Sequence, residues 1–271
     1  MQDPNHPIWK TLAVDEQNRF ELWKLLHANG LLAPMETVSS LFDSMQEGIQ
    51  RVLREKGADP FVRGTGPEQE MAWDFLLEVY MAQSAAAQFL HAVGHLLRGH
   101  SLEIFGHART MIENAGVAYL VAKEPDLADA YLDNTRRQEY KRRTGSDRIL
   151  PKEDPLTAGL NEQFAIASRT FHSNFVAISG RVQAQFTDSG PDKFVFQNRM
   201  KFHDIDPHKP HLFLAHSCWL VATAAKVLRL FARTFGLESD PWSGEVLLLE
   251  GQVSAVYSRL RPLVFVEVDD A

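Results

Sequence analysis

Cysteine is nearly absent from this 271-residue chain, and the single Cys218 excludes an internal disulfide and any zinc site built from cysteines alone. Basic residues are in the minority. The 28 Lys and Arg against 35 Asp and Glu leave a formal charge of −7, which argues against a protein whose whole surface grips nucleic acid. The opening "MQDPNHPIWK" lacks a basic stretch followed by an apolar one, so no secretory signal is expected. There is no internal repeat, low-complexity tract or long flexible linker. The most apolar run, "LFLAHSCWLVATAAKVLRLFA", is interrupted by His216, Lys226 and Arg229, and predicts a buried central helix rather than a membrane span. Within it, Cys218 is expected to be a buried thiol. A cytoplasmic protein with no membrane partner is the expectation.

What is present is helix-forming sequence with punctuated ends. Hydrophobic residues at 45% and charged residues at 23% describe an ordinary globular chain, long enough for ample core. Asp15 is expected to cap a first helix closed by Gly30, and a second runs from about Met35 to Lys56. Pro67 is placed to begin a third, through "EQEMAWDFLLEVYMAQSAAAQFLHAVGHLL", expected to cross the middle of the molecule. Ser101 then caps a fourth, and Pro125 begins a fifth through "DLADAYLDNTRRQEYKRRTG". "SDRILPKEDP" reads as a loop, followed by a helix through "LTAGLNEQFAIASRTFHSNFVAIS". The helical period is lost between Gly180 and Pro210, where "KFVFQ" and the tail "LVFVEV" suit a small sheet edge. Two closing helices end at Gly236 and Pro262. The fold class is therefore all-α: a single domain over 1–271, a bundle of about seven or eight helices with at most a small peripheral β element. In this reading the N-terminal helices 15–57 pack on a central bundle 67–180, followed by an irregular segment 181–210 and a helix pair 211–261.

Three constellations carry chemistry. On the fourth helix Gly106, Arg109, Glu113 and Gly116 are spaced three, four and three apart, which makes one stripe beside the core stripe of Leu102, Phe105, Ala108, Ile112, Ala115 and Tyr119. Glycines on both sides of the charged residues admit a neighbouring helix or a ligand. In "SRTFHSNF", Ser168 and His172 lie on a polar line that invites a carboxylate such as Glu113 to orient the imidazole for acid–base work. Arg109, Glu113, His172 and Ser168 are thus the candidate catalytic group. Second, "RRQEYKRR" places Arg136, Arg137, Lys141, Arg142 and Arg143 around Tyr140, a pattern suited to phosphates with a stacking base; the plainer reading is a solvated helix end. Lys226, Arg229 and Arg233 form a similar stripe. Third, His91 and His95 have a spacing that lets two imidazoles share a metal, with Glu103, His107 or the "FHDID" residues His203, Asp204 and Asp206 as further donors. His91-x-x-x-His95 lacks the glutamate of the protease motif, so no metal or other cofactor is assigned.

The segment "HARTMIENAGVAYLVAKEPDLADAYLDN", followed downstream by "ASRTFHSNF", resembles an uncharacterised family of bacterial all-helical proteins with an Arg-x-x-x-Glu helix, a P-x-x-A-x-x-Y/F segment and a later Ser-x-x-x-His helix. That family is similar to the HEPN (higher eukaryote and prokaryote nucleotide-binding) bundles. The resemblance covers roughly 101–179. It implies RNA or nucleotide binding in a stress or defence setting, and a homodimer with its polar motifs at a shared groove. HEPN ribonucleases carry Arg followed four to six residues later by His. Arg169 and His172 have two residues between them, and Arg199 and His203 have three, so the resemblance implies the fold and binding ahead of ribonuclease activity. A metal-binding bundle enzyme and a non-catalytic interaction protein are the alternatives.

Overall fold

The structure, a computed structural model, describes residues 7–55, 62–63, 70–171, 182–188, 194–200 and 210–264. Among them the protein is an all-α bundle. Seven long helices carry it: α1 (Pro7–Ala28), α2 (Leu32–Glu55), α3 (Trp73–Leu97), α4 (Glu103–Lys123), α8 (Pro155–Phe171), α9 (Pro210–Thr234) and α10 (Pro241–Val264). Between α4 and α8 lie three short pieces, α5 (Leu127–Leu132), α6 (Arg137–Arg143) and α7 (Ser146–Ile149).

Local chemistry sets many of the helix ends. Pro7, Pro155, Pro210 and Pro241 each open a helix, where the fixed φ is already helical and the missing N–H has no intrahelical partner to lose. Gly30, Gly99 and Gly236 close α1, α3 and α9 with φ of 69°, 86° and 68°. In each case the following amide reaches back five residues: Leu31 to the Leu26 carbonyl, His100 to His95 and Leu237 to Ala232. This satisfies carbonyls the helix would otherwise leave open.

Several expected boundaries move. Asp15 caps nothing, because α1 starts at Pro7; its carboxylate lies 3.5 Å from the His100 imidazole instead. The third helix starts at Trp73, after Glu70–Met71 (β2) pairs antiparallel with Val62–Arg63 (β1); Pro67 lies outside the described residues. Leu102, not Ser101, is the residue before α4, and it makes no side-chain cap. The fifth helix is cut in two at Asp133, whose extended backbone lets its carboxylate accept the Thr135 amide at 2.8 Å and start a 3₁₀ turn, Asn134–Arg136. The 181–210 segment holds two seven-residue strands, β3 (Val182–Asp188) and β4 (Phe194–Met200), paired antiparallel with Val182 opposite Met200. β4 therefore pairs with β3. Leu263 and Val264 close α10, past Pro262, and 265–268 lie outside the described residues.

The buried apolar side chains form one contiguous cluster drawn from all seven long helices. Each fully buried Leu or Phe, such as Leu26, Phe89 or Phe231, contributes about 1.5–3 kcal/mol relative to exposure. The centre belongs to α4 and α9. α4 packs on α3, α7, α8 and α9, and from Ala115 to Val121 every residue is buried. α3, expected at the centre, has a one-sided burial pattern, with Leu77, Met81, Ala85, Phe89, Ala92 and Leu96 inward and Tyr80 and Leu90 more than half exposed. α9 is long and apolar enough to cross a membrane by composition, and most of its apolar window is buried in this core.

Candidate functional site

The α4 stripe divides by depth. Gly116, at its buried end, is met by α7: a β-carbon there would lie 3.0 Å from both Cβ and the carbonyl oxygen of Ile149. The expected close approach is therefore made by the protein itself at that glycine. At the other end the stripe opens into a groove of about 440 Å³, lined by Gln88 from α3 and by Glu103, Gly106, His107, Arg109, Thr110 and Glu113 from α4.

Arg109 and Glu113 are one helical turn apart, but among the described residues no ion pair joins them. The guanidinium turns toward α8, its carbon 5.4 Å from the Phe164 ring centroid, while Glu113 stands exposed. An arginine preceding a glutamate is the weaker order on a helix, and a flat cation over an aromatic face competes with it. Ser168 lies on the same helix as Phe164, with its hydroxyl oxygen buried and without a hydrogen-bond partner among the described residues. His172 lies outside the described residues, so its convergence with Arg109 and Glu113 is not described.

His107 enters the groove beside them. Its Nδ1 lies 2.7 Å from Gln88 Oε1, and with that oxygen as acceptor Nδ1–H donates and leaves the Nε2 lone pair open. Behind it stand other imidazoles. His95 stacks on His107 at 5.1 Å between centroids, His91 stacks on it from 5.8 Å, and His100 meets His95 edge-on at 6.1 Å. Burial, and then the neighbouring histidines, hold His95 and His107 below the ordinary imidazole range. Ring-nitrogen lone pairs lie in the ring plane, so stacked imidazoles do not aim at one point. Among the described residues no group of three His, Cys, Asp or Glu side chains is placed to hold a metal. His203, Asp204 and Asp206 lie outside those residues.

Two rows that the sequence kept apart thus share one groove: Gly106, Arg109 and Glu113 from one constellation, Glu103 and His107 from another. Sequence reading missed Gln88 as a member and His107 as a partner of Arg109. The signal for His107 was present: it follows Glu103 by four residues and precedes Thr110 by three, which puts it on the same face of the helix.

The basic segment is folded into ion pairs. Arg143, its side chain 14% exposed, donates to Asp126, Glu124 and Glu139 at 2.7–3.4 Å. Arg136 holds Glu139 at 2.9 Å. Tyr140 packs edge-on against Tyr131 at 5.2 Å, and burial pushes its phenol up to about 12, so its ring belongs to the edge of the core. Arg137, Lys141 and Arg142 remain exposed. In the α9 stripe Arg229 pairs with Glu250 at 3.3 Å and Arg233 with Asp154 and Glu238, while Lys226 faces a separate cavity. Compared with protein-family models, curated proteins and solved structures, the chain matches none.

Proposed function

We propose that this chain is a HEPN-like RNA- or nucleotide-binding helical protein of the bacterial cytoplasm, working as a homodimer in a stress or defence response, with the α3–α4 groove as its phosphate site. The observation that supports this most is the meeting of Arg109 and His107 in one open polar groove. A guanidinium presents paired donors that match phosphate oxygens, and this one is positioned with its carbon 5.4 Å from the Phe164 ring centroid. His107 is held neutral near pH 7 by burial, and its Nε2 is able to accept a proton or a hydroxyl hydrogen bond. Glu103 and Glu113 flank the groove and favour hydrogen-bond donors of a ribose or base over a second phosphate. Binding is the activity assigned. Ribonuclease turnover is a further step that the same groove would perform only with an acid to complement His107, for which His172 is the candidate.

The test is fluorescence anisotropy with a short single-stranded RNA and with ATP, over a range of salt. Arg109→Ala is expected to weaken binding at least tenfold while the melting temperature holds, and His107→Gln to weaken it less. Equal affinity in wild type and both variants sinks the reading. RNA cleavage lost in His172→Ala with binding retained adds the nuclease.

A further inference from the structure

A second cavity, of about 480 Å³, lies between α8, α9 and α10, on residues that the groove does not use. Its α9 wall is Ala215, Cys218, Ala222 and Ala225, one helical stripe of small side chains that forms a trough floor, with the larger Trp219 ring beside it as a side wall. The α10 wall is Val253, Ser254 and Tyr257, with the tyrosine at the exposed rim. Burial pushes the Cys218 thiol up to about 11, so it stays protonated and acts as apolar lining rather than as a nucleophile.

Charge is confined to one end. Lys226 and Glu250 both line the cavity there, but Glu250 is held by Arg229 at 3.3 Å. Lys226 is only partly exposed and has no hydrogen-bond or ion-pair partner among the described residues. Its Nζ lies opposite Gly159 of α8, 3.4 Å from where a β-carbon would stand, so the glycine leaves room for the ammonium group. An apolar trough that ends in one uncompensated cation selects an anion with an apolar body. Length narrows the class. From Ala215 to Lys226 is eleven residues of helix, about 16 Å, which fits an extended chain of roughly ten to twelve carbons.

We infer that this cavity binds a medium-chain acyl carboxylate, its tail along the Ala215–Ala225 trough and its head group on Lys226. A lysine suits this role because its ammonium is a point charge on a flexible stem that follows a carboxylate without bidentate geometry.

Isothermal titration of the full chain with decanoate tests it, with decanol as the uncharged control. Wild type is expected to bind decanoate and to bind decanol at least tenfold more weakly. Lys226→Met, which keeps the stem and removes the charge, is expected to lose at least tenfold in decanoate affinity. Ala222→Phe, which fills the trough, is expected to abolish binding. Arg109→Ala is expected to bind decanoate like wild type, so failure of the groove reading and failure of this one are separable. The inference is overturned if wild type binds no decanoate at millimolar concentration, if decanol binds as well as decanoate, or if Lys226→Met binds like wild type. Should Ala222→Phe fail to fold, the decanol and Lys226→Met comparisons still decide.

Discussion

Gly116 on α4 touches Ile149 on α7 so closely that a β-carbon would stand 3.0 Å from the Ile149 carbonyl oxygen, a backbone atom unable to swing away. Gly116→Ala is therefore expected to destabilise the protein by about 1–3 kcal/mol, as overpacking does elsewhere. Gly94, in the middle of α3, has nothing within 4 Å of its added carbon. Gly94→Ala is expected to stabilise by up to about 1 kcal/mol through helix propensity alone. Urea denaturation of the two variants should give opposite signs; the same sign in both refutes the α4–α7 contact.

Acid should weaken the fold well above the carboxylate range. His216 of α9 is half-buried, with its Nδ1 inside and its ring edge-on against Phe105, and desolvation lowers its imidazole to about 4. The unfolded chain binds that proton near pH 6.5 and the folded chain does not, so stability is complete above about 6.5 and falls as pH drops toward 4. The loss is about 3 kcal/mol for a shift of this size. His95 and His107 are lowered too, so their contributions have the same sign. Chemical denaturation at pH 7, 6 and 5 should show the slope, and His216→Phe should flatten it. A flat profile in wild type contradicts the burial of these rings as neutral groups.

The basic segment makes two separable predictions. Arg143 joins Asp126, Glu124 and Glu139, so Arg143→Ala is expected to lower the melting temperature by several degrees. Arg137, Lys141 and Arg142 are exposed, and the triple alanine variant is expected to melt like wild type. If these three touch RNA phosphates, the triple variant reduces the salt dependence of binding by about 2 logarithmic units per decade. An unchanged salt slope marks the segment as a solvated helix end.

The sequence by itself determined the all-α class and most helix boundaries, because those depend on chemistry within a few residues. Proline opens α8, α9 and α10 through its own φ, and Gly30, Gly99 and Gly236 end helices through conformations that other residues resist, whereas the start of α1 at Pro7 was missed in favour of Asp15. The buried face of α4 was equally legible, since Leu102, Phe105, Ala108, Ile112, Ala115 and Tyr119 follow the helical period and all lie inside. Where two local solutions compete, the sequence was a poor guide. Asp133 breaks a helix that composition would continue, by accepting the Thr135 amide. β4 pairs with β3, and Leu263 and Val264, whose composition suits a strand, continue α10 past Pro262.

The site was decided later still, by tertiary structure. Arg109 and Glu113 are neighbours on α4, but the guanidinium lies over the Phe164 ring of α8 and, among the described residues, the i, i+4 pair is not made. Gln88 and His107 are nineteen residues apart and on different helices, and only the packing of α3 against α4 brings them to 2.7 Å. The same packing stacks His91 and His95 on His107, turning a spacing suited to a metal into a column of rings. Helix ends and apolar faces depend on backbone sterics and periodicity, which are local and so can be read along the chain. The destination of a long polar side chain is a contest among partners from several helices, and those partners exist only once the core has packed.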